Sequence, residues 1–201
     1  MLPYALMYRV GFAPWERRAV AESWGRLLGG TDAPVAGRAL DVGCGSGRDA
    51  VYLAKRGWTV TAVDSVDKAL ASAHRRAAEA GVEVQWVKGD VAALDRLGLE
   101  PGYDLVYDFG CIHGLSDAAR TGAAAGLTHL AAPGAMLLMV AFKAGRGIVL
   151  PRGMNKEDVV ALLRDGWDLE ESRSVVTEDV PAFLRRANPT VYRLTRRTAP
   201  A

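Results

Sequence analysis

Four short segments of the chain carry acids and glycines in patterns that could hold a nucleotide-like ligand. The first is Ala39-Leu40-Asp41-Val42-Gly43-Cys44-Gly45-Ser46-Gly47, an acidic residue followed by three alternating glycines. Glycine lets a chain turn sharply and lets a ligand approach the main chain closely. The spacing is G-x-G-x-G, one residue shorter than the G-x-G-x-x-G that seats a pyrophosphate at a helix start, and a plain tight turn would read the same way. The second is Val63-Asp64, 21 residues after Gly43, where a carboxylate can accept both hydroxyls of a ribose. A helix cap is the alternative there, and Ser65 could supply it equally well. The third is Gly89-Asp90-Val91, where a carboxylate and a backbone amide could read the amino group and ring nitrogen of an adenine. Glycine and aspartate are also ordinary turn residues. The fourth runs from Tyr103 to His113 and ends with Asp108, Gly110, Cys111 and His113 close together, a carboxylate, a glycine, a thiol and an imidazole.

These segments must be brought to one place, and the pattern around them supplies the scaffold. Short apolar runs alternate with helix-compatible stretches, which predicts repeated βα units and a mostly parallel sheet. Strands are expected at Arg38 to Val42, Thr59 to Val63, Val82 to Trp86, Asp104 to Phe109 and Ala135 to Phe142, the last after a Pro133-Gly134 turn. Helices are expected from Arg48 to Arg56, from Asp67 to Ala80 before Gly81, and from a Ser116 cap to about Leu130. Ligands of such open sheets bind beyond the carboxyl ends of the strands, where all four segments fall. After Phe142 the rhythm changes to a loop from Lys143 to Met154 and a helix capped by Asn155, with Asp158 in its first turn. Strands near Trp167 to Val176 and Thr190 to Arg196 have no clear helix between them and predict an antiparallel edge pair. Ahead of the sheet, Pro14 to Leu28 reads as a helix stopped by Gly29-Gly30.

Composition narrows the function classes. A chain of 201 residues, half of them hydrophobic, suits one α/β domain that needs no disulfide or metal staple. The 25 basic and 23 acidic residues leave a net charge of +2, which is no polyanion-binding signature and argues against nucleic acid as a partner. Two cysteines, Cys44 and Cys111, indicate a reducing compartment, and Met1 to Arg18 lacks the features of a secretion signal, so the cytoplasm is expected. Thr121 to Phe142 carries no charged side chain, but its glycines, His129 and Pro133-Gly134 predict a helix, a turn and a strand rather than a membrane span.

Taken in order, the four segments resemble the class I S-adenosylmethionine-dependent methyltransferases over roughly Ala39 to Phe142. Asp108-Phe109-Gly110-Cys111-Ile112-His113, with Pro14-Trp15-Glu16 upstream, is similar to the tellurite-resistance and thiopurine S-methyltransferase-like group within them. The resemblance implies a Rossmann-like seven-stranded α/β fold, mostly parallel with an antiparallel C-terminal edge pair. It implies one domain over residues 1–201, with an N-terminal lid helix in 1–30, a cofactor-binding core in 38–142 and acceptor-side elements in 143–201. Asp41 and the turn Gly43, Cys44, Gly45, Gly47 would hold the methionine part of S-adenosyl-L-methionine. Asp64 with Ser65 would take the ribose, Asp90 with Val91 the adenine, and Asp108 would lie near the methionine ammonium. Trp15 would cover the cofactor or substrate, where its ring face could attract a sulfonium, or would anchor the first helix.

His113 is the candidate general base, since an imidazole titrates near neutrality and can take a proton from an acceptor hydroxyl or amine; a packed or solvated histidine is the alternative. The acceptor itself is expected to be a small, aromatic or heteroaromatic molecule with an O, N or S nucleophile, and the protein a monomer or homodimer. Asp108-Phe109-Gly110-Cys111 lacks the Asp/Asn-Pro-Pro-aromatic motif of amino-directed nucleic-acid methyltransferases and the Pro-Cys pair of cytosine C5 enzymes. Beyond it only Asp117 follows, too few oxygens for a hard cation, so no metal is expected. Lys143, Arg146, Arg152 and Lys156 would attract an anionic acceptor or simply form a solvated loop. The rival readings are an NAD-dependent oxidoreductase, which the glycine spacing disfavours, and a cofactor-binding module without transfer chemistry.

Overall fold

The computed structural model describes residues 34–143, 152–174 and 189–198. The helix expected over Pro14 to Leu28, the lid with Trp15, and Arg146 lie outside the described residues. Seven strands form one sheet: β1 (Arg38–Val42), β2 (Thr59–Asp64), β3 (Gln85–Lys88), β4 (Tyr103–Phe109), β5 (Ala131–Ala141), β6 (Trp167–Ser174) and β7 (Thr190–Arg196). Their order is β3-β2-β1-β4-β5-β7-β6. The first five pair in parallel, whereas β7 runs antiparallel to both β5 and β6. Among the described residues four helices connect them: α1 (Arg48–Ala54), α2 (Asp67–Ala80), α3 (Asp117–Leu130) and α4 (Lys156–Leu163), with short 3-10 turns at Val91–Arg96 and Ile112–Gly114.

Strands packed on both faces read as near-continuous apolar runs, and alternate residues then serve two cores. On one face Leu40, Val42, Val106, Leu137 and Met139 pack with Leu94 of the first 3-10 turn, Leu127 of α3 and Val159 of α4. On the other, Ala39, Leu105, Tyr107, Leu138 and Val140 pack with Ala50 and Leu53 of α1. Asp41 is the acid embedded in this pattern, on the α1 side of β1 and in register with Tyr107 of β4.

Two boundaries differ from the sequence reading. β5 starts at Ala131, not Ala135, because Ala131 already pairs with Tyr103; the register then shifts across Pro133-Gly134, where Gly134 takes φ 78°, before Met136 pairs with Leu105. The Pro-Gly step is thus an irregularity inside the strand rather than a turn ahead of it. β3 starts at Gln85, so Val82 and Val84 fall outside it. Among the described residues no helix is long and apolar enough to cross a membrane, and the uncharged stretch divides between α3 and β5.

Candidate functional site

The sheet order makes the site's place a consequence of topology. β2 and β3 extend from β1 in one direction, β4 and β5 in the other, so the connections part company between β1 and β4 and leave a crevice at their carboxyl ends. The glycine turn follows β1 at that point. Gly43 and Cys44 both donate their amides to the Val63 carbonyl of β2, at 2.8 and 3.0 Å. Gly43 has φ 72°, and a Cβ there would lie 2.5 Å from both Cβ and Sγ of Cys111. Gly47 has φ 72° as the N-cap of α1, and a Cβ there would meet the Trp86 ring at 2.5 Å and the Ala73 methyl at 2.7 Å. Side chains at either position would need both a left-handed backbone and space that is already filled. The third glycine comes early because the helix begins at the next residue, Arg48.

Asp64, at the end of β2, anchors this turn. Its Oδ2 accepts the Gly45 amide at 2.8 Å and its Oδ1 accepts the Val66 amide at 2.8 Å. The bond to Val66 steadies the start of α2, as the helix-cap alternative for this position has it. Val66 is the N-cap of that helix, without a side-chain cap, so Ser65 does not fill the role and stands exposed beside Asp64. The Asp64 carbonyl accepts the Gly89 amide at 3.1 Å, which draws the Gly89-Asp90-Val91 segment to the same end of the sheet. Asp90 caps the 3-10 turn, its Oδ1 accepting the Ala92 amide at 2.9 Å, and the Val91 side chain is buried in the core.

Two more carboxylates lie on β1 and β4, close enough for their charges to be felt by one another. Asp41 is 2% exposed, and its Oδ2 has no hydrogen-bond partner among the described residues. Burial, then the charges of Asp49, Asp64 and Asp108, push it well above the usual carboxylate range; the Ala50 amide opposes this. Asp108 is fully buried; its Oδ1 accepts the amides of Cys111 at 2.9 Å and Ile112 at 3.2 Å, while Oδ2 has no partner among the described residues. Burial lifts it to about 7 against the pull of those amides. An electronegative, desolvated recess with open carboxylate oxygens suits a cation, whereas the amides of Gly43, Cys44, Gly45 and Gly47 in the turn beside it are already given to Val63, Asp64 and Cys44. Those open oxygens fit the ammonium of an amino-acid end.

Both cysteines border this recess. Burial is the main reason each thiol titrates well above its ordinary value, so neither offers a ready thiolate. His113, in the turn after β4, is fully buried. Its ring is edge-on to Phe142 with centroids 4.9 Å apart, and Nδ1–H faces the Val140 carbonyl at 3.4 Å. That contact makes Nε2 the basic nitrogen, and it has no partner among the described residues. Burial, opposed by the Val140 contact and helped by the charge of Arg120, brings the imidazole down to about 4. The expected titration near neutrality is thereby corrected: the ring is neutral throughout the physiological range.

Two residues of this neighbourhood, Asp49 and Arg120, escape the sequence reading. Asp49, on the first turn of α1, adds its charge against Asp41 and Tyr107. Its spacing from Arg48 looks like ordinary first-turn acid placement, so only the fold reveals it. Arg120 of α3 donates to the carbonyls of His113 and, at 2.9 Å, Gly153, tying the turn after β4 to the loop ahead of α4. In that loop Arg152 pairs with Asp117 at 3.0 Å.

Residues 39–134 match the family described as methyltransferase domain. The chain is 33% identical over 109 residues to a 2-heptyl-1-hydroxyquinolin-4(1H)-one methyltransferase of Mycobacteroides abscessus, a match that covers 54% of this chain and 47% of that relative's length. In fold it is similar to the 1,6-didemethyltoxoflavin-N1-methyltransferase of Burkholderia thailandensis, solved with S-adenosylhomocysteine and substrate: TM-score 0.77, 23% identity, over 97% of this chain and 85% of that one. It is also similar in fold to a TehB-like methyltransferase of Corynebacterium glutamicum, with TM-score 0.62 and 22% identity over 89% of this chain and 99% of that one. The matched stretch includes β1 to β4, the glycine turn, Asp41, Asp64, Asp90, Asp108 and His113.

Proposed function

We propose that the protein transfers a methyl group from S-adenosylmethionine to an O, N or S nucleophile of a small, aromatic or heteroaromatic molecule. The observation that carries this reading is the recess at the ends of β1 and β4, where Asp41 and Asp108 each keep a buried carboxylate oxygen open beside the glycine turn. Bound there, S-adenosylmethionine supplies a methyl activated by its sulfonium charge. The chain's own residues do the rest. Asp108 and Asp41 take the ammonium, the Gly43 to Gly47 turn lets the rest of the methionine part lie close against the main chain, Asp64 takes the ribose hydroxyls and Asp90 with Val91 the adenine. His113 Nε2 accepts the proton of an acceptor that must lose one. Its weak basicity suits an acceptor with an already acidic proton, such as a hydroxylated heteroaromatic ring. Most of the rate gain in such a displacement comes from alignment, which a rigid strand end and a fixed turn provide. Placement in the tellurite-resistance and thiopurine-like group rests on the Asp108 to His113 segment, and the TehB-like neighbour is compatible with it in fold.

Calorimetry of the purified chain with S-adenosylmethionine, S-adenosylhomocysteine and NAD tests the cofactor. The first two should bind and NAD should not. Asp64→Ala should weaken both by about 2–3 kcal/mol, roughly two orders of magnitude. A methyl-transfer screen over phenols, thiols and nitrogen heterocycles then tests the acceptor; binding without transfer to any class would favour a non-catalytic module.

A further inference from the structure

Arg120, near the start of α3, gives its guanidinium mainly to main-chain carbonyls. Its side chain is 12% exposed, and one nitrogen, Nη2, donates to the carbonyl of His113 and, at 2.9 Å, to that of Gly153. Its ion pair is a loose one: the exposed Asp117 carboxylate lies 3.8 Å from Nη1 and already pairs with Arg152 at 3.0 Å. Exposed pairs of this kind contribute little, so the two carbonyls are the stronger reason for the guanidinium's place. The helix it reaches from is fixed separately. Ser116 Oγ accepts the Ala119 amide at 3.3 Å, and a Cβ on Gly126 would lie 2.7 Å from the Leu94 Cβ of the turn that α3 packs on. The two carbonyls belong to segments that meet again at the His113 ring. Beside Gly153, the Met154 amide donates to the Phe142 carbonyl at 2.9 Å, and the Phe142 ring stands edge-on to His113. The Val140 carbonyl accepts the Gly110 amide at 3.0 Å and faces His113 Nδ1–H at 3.4 Å. Gly110, at φ 74°, lies against the ring, where a Cβ would be 3.2 Å from Cε1. The contacts close a circuit from Arg120 through Gly153, Met154, Phe142 and His113 back to Arg120, and they leave Nε2 buried without a partner among the described residues.

We propose that Arg120 is a positioning residue: by bridging the carbonyls of His113 and Gly153 it holds the imidazole in its Nδ1–H form and keeps Nε2 open for the proton of an acceptor. The inference rests on the reading of His113 as the base and names the group that sets its orientation. A three-residue 3-10 turn such as Ile112–Gly114 holds itself weakly, because its hydrogen bonds have poor geometry. The bond from Arg120 to the middle residue of that turn fixes its backbone from outside. Which imidazole nitrogen carries the proton is set by the bond the other makes. At 3.4 Å the contact with Val140 has little slack, so a turn that moved away would release Nδ1–H. Solvent then takes the proton from Nδ1 and returns one to Nε2, which blocks that nitrogen as an acceptor. A planar guanidinium suits the bridging role, since its donors are fixed relative to one another, whereas an ammonium is a single point.

The test is heteronuclear NMR of the imidazole nitrogens in the full chain near neutral pH, for wild type, Arg120→Met and Arg120→Lys. His113→Ala identifies the His113 signals, and those of His74 and His129 serve as internal references. Wild type should show His113 in the Nδ1–H form. In Arg120→Met the tautomer ratio should move toward Nε2–H by about threefold or more, the change expected from weakening one hydrogen bond, with Arg120→Lys in between. Affinity for S-adenosylmethionine, read by calorimetry, should stay within about twofold, because Asp41, Asp64 and Asp90 lie on other elements. An Arg120→Met spectrum identical to wild type overturns the role of Arg120; should that variant not fold, an Arg120→Lys spectrum identical to wild type does the same. Loss of donor affinity in step with the spectral change would make Arg120 a support of the whole strand end and overturn a role confined to His113. Wild-type His113 in the Nε2–H form, a measurement that needs no variant, overturns the assignment outright. These spectra need no acceptor, so failure of methyl transfer in the screen counts against the proposed function and leaves this result standing.

Discussion

At the scale of single residues, burial decides what each group can do. His113 is neutral at pH 7 because a fully enclosed imidazole loses hydration that its charged form needs. If it serves as the base, the acid limb of a pH–rate profile for a proton-losing acceptor should fall at about 4 rather than near neutrality. His113→Ala should lower turnover of that acceptor by about 10²–10⁴-fold, spare one already ionised, and leave donor affinity nearly unchanged. Equal wild-type rates for both acceptors in the variant would make the histidine structural. Residues that act through chain-local spacing were legible in the sequence: Gly43, Gly45 and Gly47 announce their turn, and Asp64 announces a carboxylate at a strand end. The charge that Asp49 adds against Asp41 and Tyr107 was not, because it acts between α1 and the sheet and exists only once they pack together. The same holds for His113, whose surroundings come from β5 and Phe142.

At the scale of elements, caps and ties fix the pieces around and beyond β5. Asn155 Oδ1 accepts the Asp158 amide at 2.9 Å while Asp158 Oδ2 accepts the Asn155 amide at 2.9 Å, a reciprocal box at the start of α4. Asn155→Ala should destabilise the protein by about 1 kcal/mol in denaturant unfolding, with an unchanged m-value. This helix start and the Ser116 cap of α3 could be read from the sequence because a capping side chain acts within its own turn. The start of β5 could not, since its first pairing spans an irregular Pro133-Gly134 step that looks locally like a turn. Farther on, Trp167 Nε1 donates to Thr128 Oγ1 at 2.9 Å, and Arg197 pairs with Asp168 at 2.8 Å, which hold the antiparallel strands to α3 and to each other.

At the scale of the whole molecule, the recess makes stability depend on pH in a sense opposite to that of most acidic side chains. Asp108 keeps its proton up to about 7 in the folded protein, whereas an unfolded chain releases it near about 4. Its contribution is complete below the unfolded value and is lost as pH rises through 7. Asp49, held up to about 6, acts in the same sense, and so does Asp41. His113 runs the other way, but its contribution is already complete above about 6.5. The melting temperature of the donor-free protein should therefore decline between about pH 6.5 and 8.5, and saturating S-adenosylmethionine should reverse most of the decline. Scanning calorimetry at fixed ionic strength checks this; a flat or rising profile in the donor-free protein would contradict the buried acid cluster.

The strand order also bears on how the chain is made. β6 is synthesised before β7, yet every ladder contact it has among the described residues is to β7, which in turn pairs with β5. A nascent chain on the ribosome can assemble the five parallel strands as they emerge, because each pairs with a strand already present or soon to follow. β6 must wait, out of the tunnel and without its neighbour, until the segment around Thr190 to Arg196 is free to insert between it and β5. Its exposed acids and arginines, Asp168, Glu170, Glu171 and Arg173, are the kind of charged edge that keeps a waiting strand from pairing with another chain.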